Sequence, residues 1–345
     1  MNNENKGSPP YVINISNGKS GDLRFKTKYH YTSPAAFLSI LQNQNLRFTD
    51  ARFMNDKVEL TYFVKLLLDF IDKNKQKYPL CEECLYGVLS NYKLDDIRNL
   101  KVNNIEFELD VSQISSTPMP QKRIFVFCTS ADSDALNMWN YYVNNSTYQG
   151  YNIGININTL LKQFKNIHND PKRMIVYYGN VVYQPEEQYR AIDRFLMQRE
   201  YFLQEHINMY PELKDNIRDR FLVLGKALMV QYIDSHGIFY KHPCFAHEKE
   251  FRIVVEIDKE KVPHNEQEAK QFFGDENGNI VEKYIIKNGI VVPFLQIPFD
   301  KTLVKEVTIS PTTEFEIAKI GVEELFNALN YRGIKIKPSG IPIRF

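Results

Sequence analysis

The chain has 345 residues, and its 43 Lys and Arg residues nearly balance 42 Asp and Glu residues, for a formal net charge of +1. Hydrophobic residues make up 43% of the sequence and aromatic residues 13%, which excludes disorder along the whole length. The neutral balance argues against a protein that coats nucleic acid or membranes through bulk charge.

The predicted elements place strands toward both ends of the chain, with helical blocks between them. Runs of β-branched and aromatic residues predict the strands. Apolar residues at helical spacing, after capping residues such as Ser33, predict the helices. In chain order, the predicted strands lie near residues 11–15, 29–32, 46–49, 123–128, 151–157, 175–182, 250–257, 284–287, 290–294, 303–309 and 334–337. The predicted helices lie near residues 34–41, 56–71, 132–143, 186–209, 212–234 and 314–329, with less regular helical sequence up to about residue 116.

This order predicts an α+β fold in a single domain. We interpret residues 1–26, which are rich in Asn, Gly, Ser and Pro, as a flexible leader. The domain then covers residues 27–345, with helical insertions at about residues 56–116 and 186–234. No shift in composition marks a linker between two domains.

The cysteines and the apolar runs limit the compartment and the metal content. No apolar run approaches the roughly 20 residues that a membrane-spanning helix requires. The four cysteines are too few for a disulfide framework in a chain of this length. Cys81 and Cys84 have the spacing of half a zinc site, but the sequence has no second Cys-x-x-Cys pair. We therefore expect a cytoplasmic protein with reduced thiols, no metal and no membrane partner.

The most informative polar pattern lies on the strand predicted at residues 250–257. Alternation places Phe251 and Ile253 on one face, with Glu250 and Arg252 on the other. An acid and a base so placed most often form a solvated salt bridge. They can also line a cleft, where Arg252 would hold Glu250 ionised and oriented. Glu248 is a second candidate acid.

Polar residues also follow an earlier predicted strand. Arg52 lies between this strand and the next helix, where Asn55 and Asp56 can cap the helix N-terminus. Capping explains Asn55 and Asp56 but not Arg52. An arginine beside a helix N-terminus suits a phosphate group.

A third polar segment ends the strand predicted at residues 123–128. Thr129 and Ser130 supply hydroxyls there, and Trp139 and Tyr142 follow on a predicted helix. Aromatic residues in such a helix most often belong to the core. A ring beside a strand end can also stack on a planar ligand.

Together these segments resemble a large bacterial family described mainly as a domain of unknown function. The resemblance covers residues 28–345, with gaps at the helical insertions, and its motifs are fairly specific as a set. The matching motifs are residues 29–33, 40–41, 46–48, 52–56, 127–130, 138–139, 150–155, 241–252, 309–311 and 341–344, with Glu59 and Tyr142.

The opening His-Tyr-Thr strand and the late Glu also resemble the ADP-ribosyltransferase fold, as found in DarT-type and CmdT-type toxins. This resemblance implies a split β-sheet core with helical insertions, and an enzyme that uses NAD as its co-substrate without a metal. It further implies a toxin or phage-defence effector that modifies nucleic acid, RNA or DNA, rather than protein. An antitoxin is then a further partner.

The same resemblance implies roles for individual residues. Glu250 is the catalytic residue that bonds the nicotinamide ribose, and Arg52 helps to orient NAD or the acceptor. His30 binds NAD, while Thr129, Ser130 or Tyr142 supports the nicotinamide. The implied NAD-binding residues are His30, Tyr31, Thr32, Asn55, Asp56, Thr129, Ser130, Trp139, Tyr142 and Arg252.

The acceptor and the activity each have an alternative interpretation. Clusters of basic side chains are candidates for phosphate contacts, although a solvated helix face explains them equally well. These side chains are Lys162, Lys165, Arg190, Arg194 and Arg199. The alternative to an enzyme is a non-catalytic module that senses a nucleotide or binds a protein, with the helical insertions as its contact surface.

Overall fold

The computed structural model describes residues 12–14, 27–54, 59–89, 122–143, 149–167, 174–209, 214–287 and 289–342. The chain divides into two compact units. Unit 1 comprises Met1–Phe53, Arg123–Asn180 and His247–Phe345, and unit 2 comprises Met54–Lys122 and Val181–Ala246. Both predicted helical insertions fall within unit 2. Apart from residues 12–14, the predicted leader lies outside the described residues.

The predicted combination of helices with a β-sheet is confirmed, and the sheet is mixed. Its eleven strands are β1 (Val12–Asn14), β2 (Thr27–Thr32), β3 (Asn45–Asp50), β4 (Lys122–Ser130), β5 (Tyr151–Asn156), β6 (Met174–Asn180), β7 (Glu250–Asp258), β8 (Val281–Lys287), β9 (Ile290–Pro298), β10 (Val304–Ile309) and β11 (Lys335–Pro338). The helices are α1 (Pro34–Asn43), α2 (Glu59–Lys73), α3 (Pro79–Leu89), α4 (Leu136–Tyr142), α5 (Ile157–Asn166), α6 (Pro185–Asn208), α7 (Lys214–His236), α8 (Glu266–Phe273) and α9 (Phe315–Ala328). Within the described ranges, no helix is both long and apolar enough to cross a membrane.

The sheet of unit 1 forks along one edge of β4. Its main path runs β1-β6-β7-β4-β2-β5-β10-β11, and a side branch runs from β4 through β3 and β9 to β8. β4 pairs with β3 at Phe125 and Val126, and with β2 at Ser130. The two branches therefore leave β4 at different positions along the strand. Residues 127 and 128 lie between these positions, at the fork.

The main core of unit 1 packs against one face of this sheet. Alternating residues of the strands supply it, among them Phe48 on β3, Phe127 on β4 and Ile253 on β7. Full burial of one such side chain contributes about 1.5–3 kcal/mol. A smaller cluster is built from Tyr31, Met138, Trp139 and Val143. This second cluster brings α4 against β2.

Local signals explain most of the element boundaries. Ser33 caps α1 by accepting a hydrogen bond from the Ala36 backbone N–H at 3.3 Å, as predicted. Gly289, in the turn between β8 and β9, has φ +76°, which glycine adopts without strain. Helices α5 and α8 were not predicted from the sequence, although Asn156 and Asn265 cap them through their side chains.

Unit 2 is helical. Gly225 on α7 lies so close to α3 that a Cβ atom there would be 2.5 Å from the Cys84 sulfur, so only glycine allows this approach. The buried carboxylate of Glu200 accepts hydrogen bonds from the Leu80 and Cys81 backbone N–H groups at the start of α3. The Cys81 and Cys84 thiols donate to backbone carbonyls of Leu196 and Leu222. Burial raises the pKa of the Cys84 thiol to about 12, which disfavours a metal-binding thiolate.

A histidine at the end of α7 predicts the acid sensitivity of unit 2. Burial, with the charge of Arg199, lowers the pKa of His236 from 6.5 to about 4. Between these values the unfolded chain binds more protons, so the contribution of His236 to stability is complete above pH 6.5 and falls as the pH drops toward 4. We expect the urea midpoint of the wild type to fall over this range more steeply than that of His236→Gln. Equal slopes would contradict the assignment.

Candidate active site

A buried ion pair lies at the start of β7. Arg252 Nε and Nη2 both lie 2.6 Å from Glu250 Oε2. The exposed fractions are 0% for Arg252 and 4% for Glu250. Glu250 and Arg252 lie opposite the core residues Phe251 and Ile253, as the alternation predicted, but they are buried rather than solvated. A buried guanidinium without a counter-ion is strongly unfavourable, so each member of the pair depends on the other.

Two buried hydroxyls at the end of β4 fix the backbone around this pair. Thr129 Oγ1 donates to the Phe251 carbonyl oxygen at 2.9 Å, and Ser130 Oγ donates to the Glu248 carbonyl oxygen at 2.7 Å. The structure therefore places both residues beside Glu250. Since their hydroxyl hydrogens are committed to backbone carbonyls, we interpret Thr129 and Ser130 as residues that position the acids.

The two candidate acids are separated by a residue with an uncommon backbone conformation. Lys249 has φ +45°, in the left-handed region. Its carbonyl oxygen accepts a hydrogen bond from the Ala131 N–H at 2.9 Å, and its ammonium group pairs with Asp132 at 2.9 Å. These contacts hold the turn between Glu248 and Glu250. Neither Lys249 nor Asp132 was predicted from the sequence to be part of the site.

Tyr142 on α4 lies near both acids and contacts Glu248. Its hydroxyl donates to Glu248 Oε1 at 3.3 Å. Burial, followed by the negative charges of Glu250 and Glu248, raises the pKa of Tyr142 far above its ordinary value. The tyrosine therefore stays protonated and is a hydrogen-bond donor within a pair of carboxylates.

His30 lies at the fork of the sheet. Its Nδ1 is 3.1 Å from the carbonyl oxygen of Cys128. Because a carbonyl only accepts, Nδ1 carries the hydrogen and Nε2 is the acceptor of the neutral ring. Burial, with a smaller effect from Arg47, lowers the pKa of His30, which keeps the ring neutral at physiological pH. The ring packs on Phe127, with 4.8 Å between ring centres.

Three residues assigned to NAD binding from the sequence are buried near the site, and two of them, Tyr31 and Trp139, belong to the smaller core cluster. Tyr31 donates to the Asp132 carbonyl oxygen at 2.9 Å and meets the edge of Trp139. The indole of Trp139 is 0% exposed and donates to Asp134 at 2.7 Å. Thr32 is buried at the end of β2. The Trp139 ring is therefore part of the packing and has no face exposed for stacking on a ligand.

Arg52 lies apart from this cluster. It follows β3 and donates to both carboxylate oxygens of Asp50, at 3.0 and 2.8 Å. Asp50 also binds Arg123 at the start of β4, at 2.5 Å. Arg123 and Thr129 are separated by roughly 20 Å along the strand, at about 3.3 Å per residue. The structure does not bring Arg52 to Glu250, and the neighbouring Asn55 and Asp56 lie outside the described residues.

The basic residues considered for nucleic acid binding differ in their exposure. Lys162 and Lys165 are exposed on α5, in unit 1. Arg190 and Arg194 are exposed on α6, in unit 2. Arg199 is only half-exposed, and its guanidinium lies 5.4 Å from the centre of the Phe195 ring. In the described part of the chain, no group of three or more His, Cys, Asp or Glu side chains could hold a metal ion.

One family model matches part of the chain. Residues 138–253 match a family described as "Protein of unknown function (DUF2971)". The matched stretch includes Trp139, Tyr142, Glu250 and Arg252, so it supports the predicted resemblance to an uncharacterised domain family. No curated protein and no solved structure matches the chain.

Proposed function

We propose that this protein is an NAD-dependent ADP-ribosyltransferase with an ADP-ribosyltransferase-like split sheet, in which Glu250 is the catalytic residue. The observation that carries the proposal is the Glu250–Arg252 ion pair, at 2.6 Å, next to Tyr142 and Glu248 at the start of β7. A carboxylate held ionised by an arginine suits a reaction that develops positive charge. The forked sheet and the sequence resemblance support the same function.

The proposed transfer breaks the bond between nicotinamide and C1 of its ribose, with the electron pair leaving on nicotinamide, and joins C1 to a nucleophile of the acceptor. Glu250 would stabilise the positive charge that develops at the ribose and accept a hydrogen bond from its 2-hydroxyl. Glu248, the second acid beside Glu250, would take the proton of the nucleophile. Tyr142 would orient Glu248 through the 3.3 Å hydrogen bond.

His30 would help to hold the co-substrate. Its neutral ring has Nδ1 committed to Cys128, so Nε2 can accept a hydrogen bond from a ribose hydroxyl. Tyr31, Thr32 and Trp139 would act by positioning the neighbouring chain. No metal is required for any of these roles.

We further propose a nucleic acid acceptor, RNA or DNA, and a role as a toxin or phage-defence effector with an antitoxin partner. The resemblance to nucleic-acid-modifying toxins supports this choice, and the exposed Lys162 and Lys165 on α5 could contact phosphates. The nearly neutral net charge of +1 provides no broad electrostatic attraction.

One observation favours a second function, a non-catalytic module that senses a nucleotide or binds a protein. Glu250 is 4% exposed and Arg252 is 0% exposed, which also suits a purely structural ion pair. Binding of NAD or ADP-ribose without turnover would support this module.

The test is transfer of labelled ADP-ribose from NAD to the macromolecules of a bacterial extract. We expect label to be incorporated by the wild type, to be lost in Glu250→Gln, and to be released by nuclease but not by protease. Growth arrest on expression of the wild type, absent for the variant, is a second readout. Label that is released only by protease would contradict the nucleic acid acceptor. Absence of both transfer and nicotinamide release would contradict the enzyme.

A further inference from the structure

Arg47 on β3 is a half-buried cation that has no acid partner among the residues the structure describes. Its Nη2 donates to Ser39 Oγ at 3.2 Å, and its guanidinium lies 5.4 Å from the centre of the Phe294 ring. A guanidinium has five donor hydrogens, so these contacts use only a small part of its hydrogen-bonding capacity. Arg52, by contrast, is committed to Asp50 through two side-chain hydrogen bonds.

Burial affects the pKa of Arg47, and the charge of Arg47 in turn affects the pKa of His30. Burial lowers the pKa of Arg47, and no carboxylate in the described part of the chain offsets this effect. The guanidinium is still charged at neutral pH. Its charge also contributes to the lowered pKa of His30, on which burial has the largest effect.

Arg47 lies on β3 two residues before Thr49, where the pairing of β3 with β4 ends at the fork. β3 pairs with β4 at Thr49 and Val126. The same antiparallel register, continued past this pair, would put Arg47 opposite Cys128, whose carbonyl oxygen binds His30. The next residue of β4, Thr129, binds the start of β7. Arg47 on β3 and His30 on β2 therefore lie on the two sides of the fork. Strand β4 separates both of these strands from β7, which carries Glu250.

We propose that Arg47 binds a phosphate group, and that this group is the pyrophosphate of the dinucleotide, an inference that rests on the proposed function. A planar guanidinium forms paired hydrogen bonds with phosphate oxygens, and partial burial strengthens them. Ser39 orients the guanidinium through its hydroxyl. Arg47 is thus the residue that performs the anion-binding role predicted for Arg52.

The test is calorimetric titration of wild type and Arg47→Met with ADP-ribose, inorganic pyrophosphate and adenosine. We expect the variant to bind ADP-ribose and pyrophosphate at least about tenfold more weakly, since a hydrogen bond to a charged group is lost. Adenosine, which has no phosphate, should bind both proteins equally. Arg332→Met is the matched control, because Arg332 is exposed and, among the residues that the structure describes, hydrogen-bonds only Asn327.

Further variants keep the outcomes distinct. Arg47→Lys should retain part of the affinity, and Ser39→Ala, which preserves the charge, should cause a smaller loss and serves if Arg47→Met does not fold. Unchanged ADP-ribose binding in a folded Arg47→Met would overturn the site, whereas NAD turnover in that variant would leave the proposed function standing. Arg47-dependent pyrophosphate binding without NAD turnover would support the phosphate site and contradict the proposed function. Weaker binding of an RNA oligonucleotide alone would assign Arg47 to the acceptor and overturn the dinucleotide assignment.

Discussion

Replacing Glu250 with glutamine is expected to reduce ADP-ribosyl transfer by about 100-fold or more, the loss typical of a group that stabilises transition-state charge. The same change should also destabilise the protein. It removes the carboxylate that lies 2.6 Å from the guanidinium of Arg252, which is 0% exposed. Breaking a buried ion pair from one side costs about 3–5 kcal/mol. Loss of activity in Glu250→Gln alone would therefore not separate catalysis from folding.

A double variant separates the effect on catalysis from the effect on folding. Arg252→Met in the Glu250→Gln background removes the buried charge and replaces it with a flexible apolar side chain of similar length. Since the uncompensated buried charge is then absent, most of the lost stability should return. Activity should not return, because the carboxylate is still absent.

The measurements are urea unfolding and nicotinamide release for the wild type, the two single variants and the double variant. Recovery of the unfolding midpoint without recovery of turnover would support Glu250 as the catalytic residue. Turnover in a well-folded double variant would eliminate that role and leave the ion pair as a structural feature. Glu248→Gln is the companion variant, because it changes the carboxylate that Tyr142 contacts and leaves the 2.6 Å pair intact.

The sequence predicted the strands of unit 1 and the local alternation on β7, because both depend on short-range patterns. The separation of Glu250 and Arg252 from Phe251 is such a pattern, and it holds in the structure. Burial of the polar face was not predictable in this way. It depends on tertiary contacts around Glu250 and Arg252, and a sequence pattern with a period of two does not record them.

The arrangement at the fork was equally inaccessible to sequence analysis. Arg47 alternates with the core residues Leu46 and Phe48, so it has the pattern of a residue on a solvated strand face. Arg47 and His30 come to the same fork because β4 pairs with β3 over one part of its length and with β2 over another. Arg52 shows the reverse case: its position between a strand and a helix suggested a ligand, whereas in the structure its guanidinium binds Asp50 on the preceding strand.

The contacts of Asp50 yield the last prediction, which separates a structural role from a catalytic one at Arg52. Asp50 is 1% exposed, and it binds Arg52 and the nearly buried Arg123. Burial alone would raise the pKa of Asp50, but the hydrogen bonds from Arg52 and the charge of Arg123 lower it below its ordinary value. Arg123 also binds the buried Glu282 at 2.6 Å. Asp50 therefore joins β3, β4 and β8 in one charge network.

We expect Asp50→Ala to lower the free energy of unfolding by about 3 kcal/mol or more, since two guanidinium groups lose their shared acceptor. The depressed pKa of Asp50 adds a pH signature. The carboxylate contributes stability above its unfolded pKa of about 3.9, and this contribution is lost as the pH falls below that value toward the folded pKa. The acid limb of the stability profile should therefore flatten in Asp50→Ala.

Arg52→Ala should have a much smaller effect. The Arg52 side chain is 54% exposed, and exposed pairs contribute about 0–1 kcal/mol. Nicotinamide release by Arg52→Ala should stay within about twofold of the wild type, as for a surface substitution away from the reacting groups. Arg332→Ala, another exposed arginine, is the matched control. If Arg52→Ala lost turnover while retaining its unfolding midpoint, Arg52 would be catalytic, and the site would have to extend along β4 as far as Asp50.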